Sequence, residues 1–238
     1  MNALIVIRIN NNRAQSFLSD MPTVHLWCMP TSQHPPVRDD YAAYTNQGFL
    51  GRETSETAHL LGDGVSEQDV RRRATDENLF QLTSESSRRS TVNAVLARLD
   101  GASGQLLDVL ASSDPDTRRQ ATLYVILLQH RLLREFIADV IVPKARLADD
   151  VVTETDVAVF MQRVASQQPD VHAWSTSTKQ KAVSNMLRVL TDAGLLERKA
   201  RDRHVIRTSW VSPELRNELD AAGRASYLTL LLDQGGAA

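Results

Sequence analysis

Between residues 179 and 207, eight Lys and Arg side chains stand against three acids, in a chain of 238 residues whose formal net charge is only −2. The chemistry such a cluster can do is to hold a polyanion. Lys179 and Lys181 fall in the first two turns of a helix that a polar cap opens at Ser175 or Ser177, with Thr176, Thr178, Gln180 and Ser184 around them. Lysines and the free amides of a helix N-terminus hold phosphates, and Gln180 and Asn185 are the side chains best able to read a base edge. Arg188 extends the cluster along the helix. Arg198, Lys199, Arg201 and Arg203 follow on a short hairpin, where a basic tip would lie on a phosphate strand or in the minor groove. The plainer alternatives are a solvated helix face and a charged turn that keeps an edge strand from pairing. Arg88, Arg89, Arg118 and Arg119 offer a second DNA-facing surface, although such pairs on helices are commonly just solvated.

Nothing comparable supports catalysis. The six histidines are scattered, and none has a second histidine or a carboxylate at metal-ligand spacing. The sequence contains no phosphate-binding glycine loop, dinucleotide fingerprint or serine nucleophile elbow, so we expect no enzyme, no cofactor, no metal and no small-molecule substrate. Cys28 is the sole cysteine, which rules out an intrachain disulfide and suits a reducing cytoplasm. The longest near-continuous apolar run, residues 121–128, falls well short of the roughly 20 residues a spanning helix needs, so no membrane role is expected.

The elements that must position the basic cluster are mostly helices. Residues 1–38 show no sustained period and read as a poorly ordered arm, or as a start placed too far upstream. From residue 39 to 150 the chain reads as a helical domain, with 13 basic and 18 acidic residues. Helices are expected over 51–61, after the cap Ser66, from Thr83 or Ser84 with Val92, Val95, Leu96 and Leu99 inward, and over 105–111. Asp114-Pro115 starts what should be the longest helix, to about Val142, with Pro143 as its stop and residues 144–152 as a linker. Residues 151–238 read as a winged helix-turn-helix. Thr153 to Asp156 caps a first helix, Pro169 ends it, the basic helix follows with Ala182, Val183, Met186, Leu187 and Leu190 inward, and Gly194 stops it. Strands at 195–196 and 205–206 make the wing, and Ser212-Pro213 opens a closing helix.

The stretch from Tyr41 to Arg198 resembles the BrxA family of BREX bacteriophage-defence systems. The matching pieces are Thr45-Asn46-Gln47-Gly48-Phe49 with Glu53-Thr54, Asp76-Glu77-Asn78-Leu79-Phe80-Gln81 with Ser86, Arg88 and Arg89, then Arg98-Leu99. His130-Arg131-Leu132-Leu133-Arg134-Glu135-Phe136 and the run from Met186 to Leu196 complete them. The resemblance implies a small, helical, non-enzymatic, DNA-binding accessory protein with a partly NusB-like fold. It also implies partners among larger BREX components, a methyltransferase and an ATPase included. The fold class expected is therefore mainly α, a helical N-terminal domain followed by a C-terminal winged helix with a small β-hairpin, binding double-stranded DNA in the cytoplasm. The alternatives are a scaffold that docks other BREX subunits and a winged-helix transcription regulator.

Overall fold

The computed structural model describes residues 34–45 and 47–233; the arm expected over 1–38 lies outside them up to residue 33. Residues 34–38 are not part of a loose arm. Pro35 is buried, the Arg38 amide donates to the Leu128 carbonyl at 2.7 Å, and Arg224 donates to the Pro35 carbonyl at 2.7 Å.

The first part of the chain is a layered helical body. Its helices are α1 (Gly51–Gly62), α2 (Glu67–Thr75), α3 (Glu85–Leu99), α4 (Gly104–Leu110) and α5 (Pro115–Gln129). Each of α2 to α5 starts where a short polar side chain can take an orphan amide. Ser66 accepts from the Asp69 amide, Ser84 from Ser87, Ser103 from Leu106 and Asp114 from Thr117. Helix α1 starts differently, after Leu50 in the left-handed region at φ 53, and a Cβ on Gly51 would lie 2.8 Å from the Phe49 ring. Only glycine fits there. Residues 120–129 of α5 are buried without interruption, because α1, α3, α4 and α10 (Thr176–Asp192) all pack on it. Helix α3 works on two sides: Val95 and Leu99 join the main core, whereas Val92 and Leu96 close a second cluster with Val70, Ala74 and Phe80.

The expected single helix to Val142 is broken twice. At His130 the backbone is extended (φ −128, ψ 91), and Arg134 turns back to donate to the Leu127 and Leu128 carbonyls at 2.6 and 3.2 Å, satisfying the end of α5. Helix α6 (Arg131–Phe136) then runs into a π-helical turn, Ile137–Ile141, and on through α7 (Val142–Arg146). Pro143 therefore does not stop the chain's helix. A proline lacks the N–H for an i−4 bond and its ring crowds the i−4 carbonyl; the wider turn just before it, closed by the Val142 amide on the Ile137 carbonyl, relieves both.

The stretch read as a linker also holds β1 (Val151–Thr153). It pairs antiparallel with β3 (Arg203–Ile206), which pairs with β2 (Leu196–Ala200), giving the order β1-β3-β2. Between β1 and β2 lie α8 (Glu154–Gln167), α9 (Pro169–His172) and α10, and α11 (Pro213–Ala221) and α12 (Tyr227–Leu230) follow the sheet. Thr153 and Asp156 form the capping box anticipated for α8, and its Val157, Phe160, Met161 and Val164 are buried. The main apolar cluster runs without a gap from Tyr41 to Leu232, across residue 150. No helix among the described residues is long and apolar enough to cross a membrane.

His130 links the core to acid stability. Its ring stacks on Tyr44 with centroids 3.7 Å apart. Burial, then Arg98, Arg38 and Arg134, push its pKa down from 6.5 to about 3. Below pH 6.5 the unfolded chain takes up a proton that the folded one refuses, so stability falls with falling pH, by about 1.4 kcal/mol per unit at most. His204, also lowered by burial, acts in the same sense. Urea titrations at a series of pH values should show the loss setting in near pH 6.5, and His130→Phe should make it shallower down to about pH 3, leaving the part owed to His204.

Candidate nucleic-acid interface

Helix α10 carries the candidate site. Ser175 caps it, accepting from the Thr178 amide at 3.1 Å, and Gly194 leaves it at φ +81, the left-handed conformation that glycine adopts freely. Ala182, Met186, Val189 and Leu190 bury one side. At helical spacing, Ser177, Gln180, Lys181, Ser184 and Arg188 share the opposite, exposed side. Two structures flank that face. On one side lie Tyr44, Thr45, Gln47 and Gly48, of which Thr45 borders a cleft of about 380 Å³ with Lys181 and Arg188. On the other lies the tip of the β2–β3 hairpin, where Arg201, Asp202 and His204 border a cleft of about 500 Å³ with Val183 and Leu187.

Several expected site residues do not join this face. The Lys179 ammonium reaches the His172 carbonyl at 3.1 Å, toward α9 and away from the exposed side. The Thr178 hydroxyl stays with the cap, 2.8 Å from Ser175 Oγ. Thr176 is exposed in the first turn, on the hairpin side. Asn185 is 4% exposed, and its Nδ2 donates to the Tyr44 and Gln47 carbonyls at 3.2 and 2.8 Å. It is a structural clamp, not a reader of bases. Its Oδ1 accepts from Arg188 Nη2 at 2.5 Å, and so fixes that guanidinium beside Gly48.

The hairpin cations also divide. Register places Arg198 opposite His204, and Glu197 opposite Val205. Directly opposed residues share a face, so Arg198 lies on the helix side while Glu197 and Lys199 turn outward. Glu197 forms ion pairs with Lys199 and Arg207, which hold its carboxyl below the usual range. Arg201 and Arg203 are exposed at the tip and have no ion-pair partner among the described residues. The eight cations are thus not one ridge. Lys181 and Arg188 mark the helix, Arg201 and Arg203 mark the tip, Arg198 is exposed on the helix side of β2, and Lys179, Lys199 and Arg207 are tied elsewhere.

The second surface dissolves in the same way. Arg88 donates to the Thr75 carbonyl at 2.7 Å, and Arg118 to the Ser112 and Ser113 carbonyls at 2.6 and 2.8 Å, so both close helix junctions. Arg89 pairs with Glu85 and Arg119 with Asp116 within their own helices. Among the described residues no group of three His, Cys, Asp or Glu side chains is placed to hold a metal.

A residue that pattern-reading passed over is Arg98. It is 1% exposed, and it donates to the Phe49 and Gly48 carbonyls, both at 2.7 Å, and to the Tyr44 hydroxyl at 3.3 Å. Arg98 from α3 and Asn185 from α10 therefore grip the same segment from two sides. A signal for it existed: Thr91, Ala94, Val95 and Arg98 fall on one buried stripe of α3.

Residues 41–223 match the model of the BrxA family. A protein of Bacillus cereus (strain H3081.97), "BREX protein BrxA", is 26% identical over 186 residues, 78% of this chain and 92% of its own. The "BREX protein BrxA" of Escherichia coli O9:H4 (strain HS) is 19% identical over 183 residues, 77% of this chain and 85% of its own. A crystal structure of an uncharacterized protein from Magnetospirillum magneticum superposes with a TM-score of 0.67 at 20% identity, over 81% of this chain and 98% of that one.

Proposed function

As the chain belongs to the BrxA family, we propose that it is a non-enzymatic accessory protein of a BREX defence system that binds double-stranded DNA with weak sequence preference. Its place is the cytoplasm, beside the other BREX proteins, methyltransferase and ATPase components included. We read residues 39–150 as a helical body and residues 151–238 as the DNA-binding unit. The order β1-α8-α9-α10-β2-β3 supports a winged helix-turn-helix, with α10 as the recognition helix and the β2–β3 tip as the wing.

The observation that carries this reading is the exposed face of α10, which bears Lys181 and Arg188 and is flanked, past Val183 and Leu187, by a wing tip whose Arg201 and Arg203 have no ion-pair partners among the described residues. Four phosphate contacts give a log–log salt slope of about −4. Titration of a labelled duplex of arbitrary sequence, at salt from about 50 to 200 mM, tests it. Binding that weakens along that slope, and by little when the sequence is changed, supports the reading; absence of binding at low salt rejects it.

A second reading, docking of a BREX protein, has its own support. Leu147 is 80% exposed and Val159 61% exposed, near Pro143 on the side of α7 and α8. The two readings are compatible, because that patch lies outside the α10 face.

A further inference from the structure

The cleft between Thr45 and α10 differs in its chemistry from four others. Lys181, Arg188, Ser177, Ser184, Thr45 and Gln180 supply two cations, three hydroxyls and an amide at its rim, and among the described residues no carboxylate lines it. Four other clefts of about 300 to 500 Å³ each carry acids: Asp114 and Asp116, Glu56 and Asp192, Glu154 and Asp202, Asp139 and Asp156. The wall opposite α10 is held at unusual cost. Asn185, itself buried, uses both amide donor contacts on the Tyr44 and Gln47 carbonyls, and Arg98 is buried to hold Gly48 and Phe49. Buried polar groups are costly unless fully bonded, and here two of them, from helices α3 and α10, fix a short polar segment at the mouth of a cation-bearing cleft. Asn185 also fixes Arg188 at that mouth.

We propose that this cleft is a phosphate-ester seat built jointly by α10 and Thr45, the threonine being a donor from outside the winged-helix unit. The phosphate is one of the duplex backbone, which rests on the reading under Proposed function. Charge-assisted bonds from Lys181 and Arg188, with hydroxyl donors around them, are what a phosphate requires. Asn185 is a positioning residue: it keeps Arg188 and the segment in register. The helical body thus takes part in the contact directly, and does not merely carry the DNA-binding unit.

Thr45→Glu puts a carboxylate into the seat without touching the wing or the buried clamp. Duplex affinity should fall about tenfold and the salt slope should lose about one unit, with the midpoint of urea unfolding unchanged. Arg201→Glu with Arg203→Glu reports on the wing independently. If the wing variant weakens binding and Thr45→Glu does not, the seat is overturned and the DNA reading stands. If no duplex binds, titration with inorganic pyrophosphate separates the two: heat of binding in the wild type that Thr45→Glu abolishes keeps the seat, with a free phosphate group as ligand, and overturns the duplex as its source. No heat in either protein overturns the seat as well.

Discussion

Arg98→Met should lower the unfolding free energy by about 2–5 kcal/mol, since in a dry site the Phe49 carbonyl loses its donor and the Gly48 carbonyl keeps only the Tyr44 hydroxyl, at 3.2 Å. The acceptors are the Gly48 and Phe49 carbonyls, which no compensating substitution can remove, and the Tyr44 hydroxyl loses a partner too. Among the described residues no carboxylate pairs with this guanidinium; carbonyls and a phenol solvate it in place of water, and burial presses its pKa down. A methionine fills the volume but donates nothing. Arg98→Lys should fall between the two, because a single ammonium lacks the planar fork that serves two carbonyls at once. Urea denaturation measures both, and a loss for Arg98→Met of under about 1 kcal/mol, the size of an ordinary surface substitution, would show that the segment is held by something else. The same variant should weaken duplex binding beyond what partial unfolding explains, because the segment it frees borders α10.

The second large effect concerns charge. Lys181→Glu, Arg201→Glu and Arg203→Glu together should cut duplex affinity by about a hundredfold or more at moderate salt, since three favourable phosphate contacts become three repulsions. The three side chains are exposed and carry no ion pair among the described residues, so the fold should tolerate the change. Arg188 is left in place because its bond to Asn185 would confuse a binding loss with a packing one. Lys179→Ala is the control: that ammonium is spent on the His172 carbonyl, and its removal should leave affinity within about twofold.

Local signals carried much of this architecture. Ser66, Ser84, Asp114-Pro115, Thr153 with Asp156, Ser175 and Ser212-Pro213 each mark a helix start in the sequence and cap one in the structure, because capping needs only neighbours three residues away. Features set by distant partners were not legible. Strand β1 is three residues long and exists because β3 pairs with it from some fifty residues on. The break at His130 is closed by a side chain from the next helix and by the Arg38 amide. Asn185 looks like a base reader from its helical position, since nothing nearby in sequence reveals that carbonyls about 140 residues earlier will cover it. Lys179 shows a further limit: five residues of helix turn it well away from Ser184's side, and a sum of charges along the chain does not register that. The sequence shows that the cations cluster along the chain, but not which of them share a face.

The account's central claim is that the outer face of α10 and the wing tip grip a phosphate backbone. The most direct measurement is the salt dependence of duplex affinity for the wild type and the Lys181/Arg201/Arg203 charge-reversal variant, side by side. The account predicts a log–log slope of about −4 for the wild type and about −1 for the variant, with the fold intact in both. Equal slopes and equal affinities would contradict it.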